Sequence, residues 1–205
     1  MIILLINPPD DLEAFLGRGK NFVPTFEPLG LLYISAVCKE NGHTVYVIDA
    51  FAERLSCVGV KNKIAKINPD VIGFTSFISN GGVIYDLGRW IKREYPNIVV
   101  IFGNTHAQVY AEAYLRNKCC DIVVHGEGEN TFLKILDVLQ KKHSDLSHIT
   151  SISYLNDGQY IANSEVSFID DLTALPLPDR DAVNQKLYNM QSITNTPYSG
   201  KKGIA

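Results

Sequence analysis

The sequence predicts an α/β protein: a flavodoxin-like, Rossmann-like doubly wound domain of five parallel strands in the order 2-1-3-4-5, followed by a β-hairpin and an extended linker. Three observations predict it. Short apolar, β-branched runs recur five times, without the polar alternation of a sheet that faces water on one side. Amphipathic stretches separate them at helical spacing. Asparagine, glycine or proline punctuates most junctions. Strands alternating with helices build a parallel sheet covered on both faces, and right-handed crossovers leave few topologies.

The first strand is Ile2–Ile6, an unbroken apolar run that ends at Asn7-Pro8-Pro9. Gly30–Glu40 carries Leu31, Ile34, Val37 and Cys38 near helical spacing and stops at Asn41-Gly42, a C-cap signal. Thr44–Ile48 is the second strand. A weaker helix spans Val58 to Ile67 and is closed by Asn68-Pro69. Val71–Phe74 is the third strand, and Gly82–Glu94 the helix that ends before Pro96. Ile98–Phe102, a short helix over Ala107–Arg116, and Asp121–Val124 follow. The fifth helix, Asn130–Lys141, places Phe132, Ile135, Leu136 and Leu139 on one face.

After Lys142 the pattern changes. Ile149–Leu155 and Gln159–Ala162 flank Asn156-Asp157-Gly158 and read as a β-hairpin with Asp-Gly in the turn. In Asp170–Asp179 the prolines forbid a regular helix, so the backbone is expected to run extended with Leu172, Leu175 and Leu177 docked on a surface. Asn195 to Ala205 reads as a loop before a further element. Two units result: residues 1–145, the Rossmann-like domain, and residues 146–205, the hairpin and linker.

A net charge of −3 leaves no electrostatic footprint for nucleic acid. Met1–Ile6 has no cationic leader, and no later run is long enough to span a membrane, so a cytoplasmic location is expected. The four cysteines, Cys38, Cys57, Cys119 and Cys120, match no zinc or iron–sulfur spacing. Cys119-Cys120 reads as buried packing rather than part of a disulfide framework.

Ligands of such sheets bind at the carboxyl ends of the strands, near the switch point. Pro8 and Pro9 after the first strand give a stiff rim without amide hydrogens, which suits either a strand terminator or a ligand rim but no phosphate cradle. Thr75-Ser76-Phe77-Ile78-Ser79-Asn80 after the third strand offers hydroxyls and an amide, for an anion or polar cofactor tail or for capping its own helix. Gly103-Asn104-Thr105-His106 allows close backbone approach at Gly103. His106 has no second ligand at metal spacing. His125-Gly126-Glu127-Gly128-Glu129 is acidic and has the wrong sign for phosphate. Glu127 and Glu129 are open to acid–base work or, for Glu129, to a helix-dipole role. Glu127 is equally open to binding a ligand or ordering a loop. Gly17-Arg18-Gly19-Lys20 lacks the Walker spacing, with Asn21 next, and reads as a lid or partner contact.

Taken in order, Asn7-Pro8-Pro9, Pro28-Leu29-Gly30-Leu31-Leu32-Tyr33, Asn41-Gly42-His43, Ile48-Asp49-Ala50, Asp70-Val71-Ile72-Gly73-Phe74-Thr75 and Gly126-Glu127-Gly128-Glu129 resemble the cobalamin-binding domain of B12-dependent radical SAM proteins, including the anaerobic magnesium-protoporphyrin ester cyclase type. The resemblance spans nearly the whole chain. It implies a corrinoid across the carboxyl edge of the sheet, its nucleotide tail toward the loops after the third and fourth strands and lined by Thr75, Ser76, Gly103 and Asn104. Asn7, Pro8, His125, Gly126 and Glu127 would then face the ring or its edge, with Pro9, Phe77, Thr105, His106 and Gly128 beside them as further cofactor-binding candidates. There is no Asp-x-His-x-x-Gly after the first strand, so no protein histidine is expected on cobalt. Asn104 stands where the family often has a second glycine.

The resemblance further implies a radical SAM barrel in cis that holds a 4Fe–4S cluster, S-adenosylmethionine and a small-molecule substrate for methyl transfer or ring formation. Its three-cysteine motif is absent up to Ala205, so the chain is expected to lack that barrel and to be non-catalytic alone. Two alternatives stand beside this reading: a docking domain of the same family that has lost cobalamin, and a stand-alone flavodoxin-like binding or signalling domain.

Overall fold

In the computed structural model Ile3, Leu4, Leu5 and Ile6 of strand β1 (Ile2–Asn7) are fully buried, so the strand has no solvent face. The structure describes residues 1–10, 17, 25–141, 145–163 and 168–188. β1 lies between β2 (Thr44–Asp49) and β3 (Val71–Thr75), and β4 (Val99–Gly103) and β5 (Ile122–Val124) continue the sheet. All four pairings are parallel, in the order expected. Order 2-1-3-4-5 places the switch point between β1 and β3.

Two helices cover one face, α1 (Leu29–Glu40) and α6 (Glu129–Gln140), whose Leu31, Cys38, Phe132, Ile135 and Leu136 meet Ile3, Leu5, Val71 and Ile101. The other face carries α2 (Cys57–Ile67), α3 (Gly81–Glu94), α4 (Thr105–Val109) and α5 (Ala111–Arg116). Val60, Ile64, Ile84, Leu87 and Tyr114 there meet Leu4, Ile6, Ile72 and Phe102. Helix α3 approaches the chain closely at Gly88, where a Cβ would lie 2.1 Å from the Cys119 carbonyl oxygen. Cys38, Cys119 and Cys120 are buried free thiols, as packing requires.

Three expectations change. The expected single helix over Ala107–Arg116 is two short ones that break at Tyr110 (φ −107°, ψ 19°), and α5 thereby turns Tyr114 and Leu115 into the core. The hairpin does not stand apart from the sheet. β6 (Ile152–Asn156) pairs antiparallel with β5, and β7 (Gln159–Asn163) pairs with β6, which makes a seven-stranded sheet. This pairing covers the edge β5 would otherwise expose. Asp157 (φ 49°) and Gly158 (φ 79°) form its two-residue turn, both in the left-handed conformation that such hairpins demand.

The third change concerns the linker. Leu172 and Leu177 are 67% and 87% exposed rather than docked, while Leu175 is half-buried. Polar contacts hold this segment instead. Asp179 takes the Ser35 hydroxyl and the Lys39 ammonium, and its N–H donates to Leu32 O. Arg18, Gly19, Lys20 and Asn21, and Asn195 to Ala205, lie outside the described residues.

Candidate functional site

A cavity of about 840 Å³ opens along the carboxyl edge of the sheet and runs inward between α1 and α6. That is near the top of the range for small-molecule sites. Its depth is apolar: Leu5, Leu31, Ile34, Ile101, Val124 and Phe132 line it around Gly73. Gly73 lets Leu5 and Phe132 close over it: a Cβ there would lie 2.9 Å from Leu5 Cδ2 and 3.2 Å from Phe132 Cε2, so both side chains would have to shift. The mouth is polar, with Asn7, Asp10, Glu27, Thr75, Ser79, Asn104, Thr105, Glu127 and Glu129.

Most residues expected at a ligand meet in this cavity. Asn7, Thr75, Phe77, Gly103, Asn104, Thr105, Gly126, Glu127 and Gly128 all line it. Pro8, Pro9, Ser76, His106 and His125 do not. Ser76 is fully buried and shares its hydroxyl with His106 Nδ1 at 2.9 Å. Tyr114 reaches the same nitrogen at 3.2 Å and donates to Gly81 O. Burial pushes the His106 imidazole below its ordinary range, which favours the neutral ring. His125 is tied to the hairpin: its Nε2 is 2.7 Å from Ser153 Oγ, which in turn meets Tyr160 OH at 2.9 Å. Its pKa is also lowered by burial.

The β3 loop commits much of its polar chemistry to itself and to the loop after β1. Asn80 Oδ1 accepts the Phe77 N–H at 2.8 Å, and the Ser79 hydroxyl donates to Asp10 at 2.9 Å. At the end of β4, Asn104 adopts φ 75°, ψ 165°, a backbone conformation essentially reserved for glycine. Its side chain holds it there: Oδ1 accepts the Thr105 N–H at 2.6 Å, and Nδ2 donates to Thr75 Oγ1 at 3.2 Å. The neighbouring Gly103 is open, since a Cβ would meet only Phe74 O at 4.0 Å.

The acidic loop divides its roles. Glu127 accepts the Ile169 N–H and so orders the linker. Glu129 begins α6, where the helix dipole favours a carboxylate, and it also lines the cavity. Its Oε2 is withdrawn from solvent without a hydrogen-bond partner among the described residues. Asn7 in the wall donates Nδ2 to Asp49 Oδ1 at 2.8 Å. Asp49 is 1% exposed, and burial raises its pKa against the hydrogen bonds it accepts from Ala52, Tyr188 and Asn7. Among the described residues no group of three or more His, Cys, Asp or Glu is placed to hold a metal ion. None of their helices is long and apolar enough to cross a membrane.

Sequence reasoning missed the start of α1, where Phe26, Glu27 and Leu29 form one wall, and the apolar depth around Gly73. A glycine inside an otherwise β-branched strand was the available signal.

A family model described as a B12 binding domain matches residues 18–136. The chain is 30% identical over 196 residues to an uncharacterised methyltransferase of Pyrococcus horikoshii, covering 94% of this chain and 41% of that protein. It is 28% identical over 176 residues to anaerobic magnesium-protoporphyrin IX monomethyl ester cyclase of Synechocystis, covering 84% of this chain and 34% of that enzyme. The chain thus spans only about two fifths of the first relative and a third of the second. Among solved structures, the cobalamin-dependent S-adenosylmethionine radical enzyme OxsB with aqua-cobalamin and S-adenosylmethionine bound superposes with a TM-score of 0.72 at 20% identity, over 88% of this chain and 24% of that one. The radical S-adenosylmethionine methyltransferase TsrM from Kitasatospora setae, with tryptophan substrate and a SAM analogue bound, gives 0.64 at 16% identity, over 78% and 29%. These two likenesses show the fold.

Proposed function

This chain belongs to the B12-binding domain family, and from that premise we propose that it holds cobalamin along the carboxyl edge of its sheet and presents it to a radical SAM barrel in cis. The observation that carries the reading is the cavity itself, which brings Gly103–Thr105 and Gly126–Gly128 to one opening beside the switch point.

The residues fit an amphipathic corrinoid with a flat apolar base on its tail and amides around its ring. The depth is apolar and floored by a residue without a side chain, and the mouth carries acceptors. Asn104 already has the backbone of a glycine, and its amide is turned to Thr75 and Thr105. Thr75, Gly103 and Asn104 would hold the tail, and Asn7, Gly126 and Glu127 the ring edge. No protein histidine would ligate cobalt, because the nearest ones face Ser76 and Ser153.

When bound, cobalamin supplies a cobalt centre that carries a methyl group or an electron. The chain's own residues bind and orient it. The 4Fe–4S cluster, S-adenosylmethionine and the small-molecule substrate belong, on this reading, to the barrel, where methyl transfer or ring formation would take place.

The test mixes the chain with hydroxocobalamin, desalts it and records the visible spectrum. Near-stoichiometric corrinoid without a histidine-ligated band pattern is expected, and Gly103→Trp should abolish retention. A well-folded chain that retains no corrinoid would overturn the reading.

A further inference from the structure

Tyr188 and Asp49 lie 139 positions apart in the chain, yet the Tyr188 hydroxyl donates to Asp49 Oδ2 at 2.9 Å. The other oxygen of the same carboxylate accepts Asn7 Nδ2 at 2.8 Å and the Ala52 N–H at 3.0 Å. We propose that Asp49 and Tyr188 are positioning residues for the cavity, fixing Asn7 in its wall and making the segment 168–188 a strap that responds to what the cavity holds. The second half of this proposal rests on the corrinoid reading above.

The argument begins with burial. A carboxylate that is 1% exposed stays in place only if its oxygens are satisfied. Without the Tyr188 hydroxyl, Asp49 Oδ2 loses a donor in a site nearly closed to water. The carboxylate must then turn toward another donor, and Asn7 loses the acceptor that orients its amide in the wall. Among the described residues the side-chain donor to Asp49 Oδ2 is Tyr188 of the strap.

The strap is also tied to other residues that line the cavity. Glu127, which lines the cavity, accepts the Ile169 N–H at the strap's beginning. Glu27, another wall residue, pairs with Arg180 at 2.9 Å. None of the described residues 168–188 lines the cavity itself. The strap therefore touches the ligand site through residues that line it or hold its lining: Asp49, Glu127 and Glu27. A ligand that fixes those walls favours the docked strap, and by reciprocity a docked strap favours the ligand.

Hydrogen–deuterium exchange by mass spectrometry on the full chain tests this, with and without hydroxocobalamin, in wild type, Tyr188→Phe and Asp49→Asn. Without ligand, Tyr188→Phe should speed exchange both in residues 180–188 and in residues 2–10. Hydroxocobalamin should slow exchange of residues 179–188 roughly fivefold in wild type, and this protection should vanish in Tyr188→Phe. Wild-type exchange of residues 2–10 in the ligand-free Tyr188→Phe chain would overturn the positioning role, whether or not a corrinoid binds. Retained corrinoid with unchanged strap exchange would overturn the coupling alone. Failure of wild type to retain hydroxocobalamin would sink the corrinoid reading and the coupling built on it, while the ligand-free comparison still decides the role of Asp49. Tyr188→Phe removes a single hydroxyl, so it is the informative variant should Asp49→Asn fail to fold.

Discussion

Asn104 reaches from the end of β4 to Thr75 at the end of β3, its Nδ2 3.2 Å from the threonine Oγ1. One side chain thus links two neighbouring strand ends at the cavity mouth and stabilises its own unusual backbone. The two effects separate under substitution. Asn104→Ala removes the hydrogen bonds and keeps a Cβ in a glycine-like conformation, so it should destabilise the chain by about 1–3 kcal/mol. Asn104→Gly loses the same bonds but sheds the strain, and should be the more stable of the two variants. Urea unfolding midpoints of both variants check the order. Equal midpoints would mean that the backbone at this position is unstrained.

Gly88 makes the closest backbone approach in the fold described above, with the Cys119 carbonyl 2.1 Å from where a Cβ would stand. A backbone oxygen has no rotamer by which to yield. Gly88→Ala should therefore push α3 away from the sheet and cost about 2–3 kcal/mol, read as a lower urea midpoint. Gly82→Ala, where a Cβ meets nothing within 4 Å, is the matched control and should leave the midpoint unchanged or raise it, by up to about 1 kcal/mol of helix propensity.

Burial lowers the pKa of His43, His106 and His125. Each binds a proton more readily in the unfolded chain than in the folded one. Their stabilising contribution is thus present above the ordinary histidine pKa and is lost as pH falls through the folded values. Asp49, raised by burial, acts in the opposite sense: its contribution is lost as pH rises from the ordinary carboxylate pKa through its folded value. Unfolding midpoints should accordingly fall between about pH 7.5 and about pH 5.5, and His106→Asn should flatten the slope. A variant slope equal to that of wild type would remove His106 from the account.

The turn of the hairpin offers a fourth test. Gly158 sits at φ 79°, and a Cβ there would meet nothing within 4 Å. Gly158→Ala should therefore cost only backbone strain, about 1 kcal/mol, and thermal unfolding should show a drop of a few degrees. A larger loss would mean that the turn also packs against something.

Much of the fold was legible because the relevant signals are local. Five apolar runs and their helical partners follow from periodicity, and Asp157-Gly158 announced its turn. What the residues did not announce was where the hairpin docks. Ser153 and Tyr154 alternate as in any two-faced strand, and only the unpaired edge of β5 decides their place. The loops of the site were legible as loops at strand ends. The facing of their side chains was not. His106 and His125 stand in those loops like ligand residues, yet each turns to a buried serine on a neighbouring strand or loop. Leu172 and Leu177 misled for the opposite reason: apolar side chains in a proline-rich segment implied docking, whereas the segment is held by the carboxylate of Asp179 and its neighbours.

The apolar depth of the cavity comes almost wholly from the core beneath α1 and α6; Phe74 is the lining side chain contributed by the other core. The two sides of the sheet therefore tolerate mutation differently. Repacking around Val60, Ile64, Leu87 and Ile91 leaves the ligand walls untouched and is the place to engineer a sturdier chain. Changes at Leu5, Ile34 or Phe132 reshape the cavity directly, which makes them the positions from which altered ligand preference can be evolved.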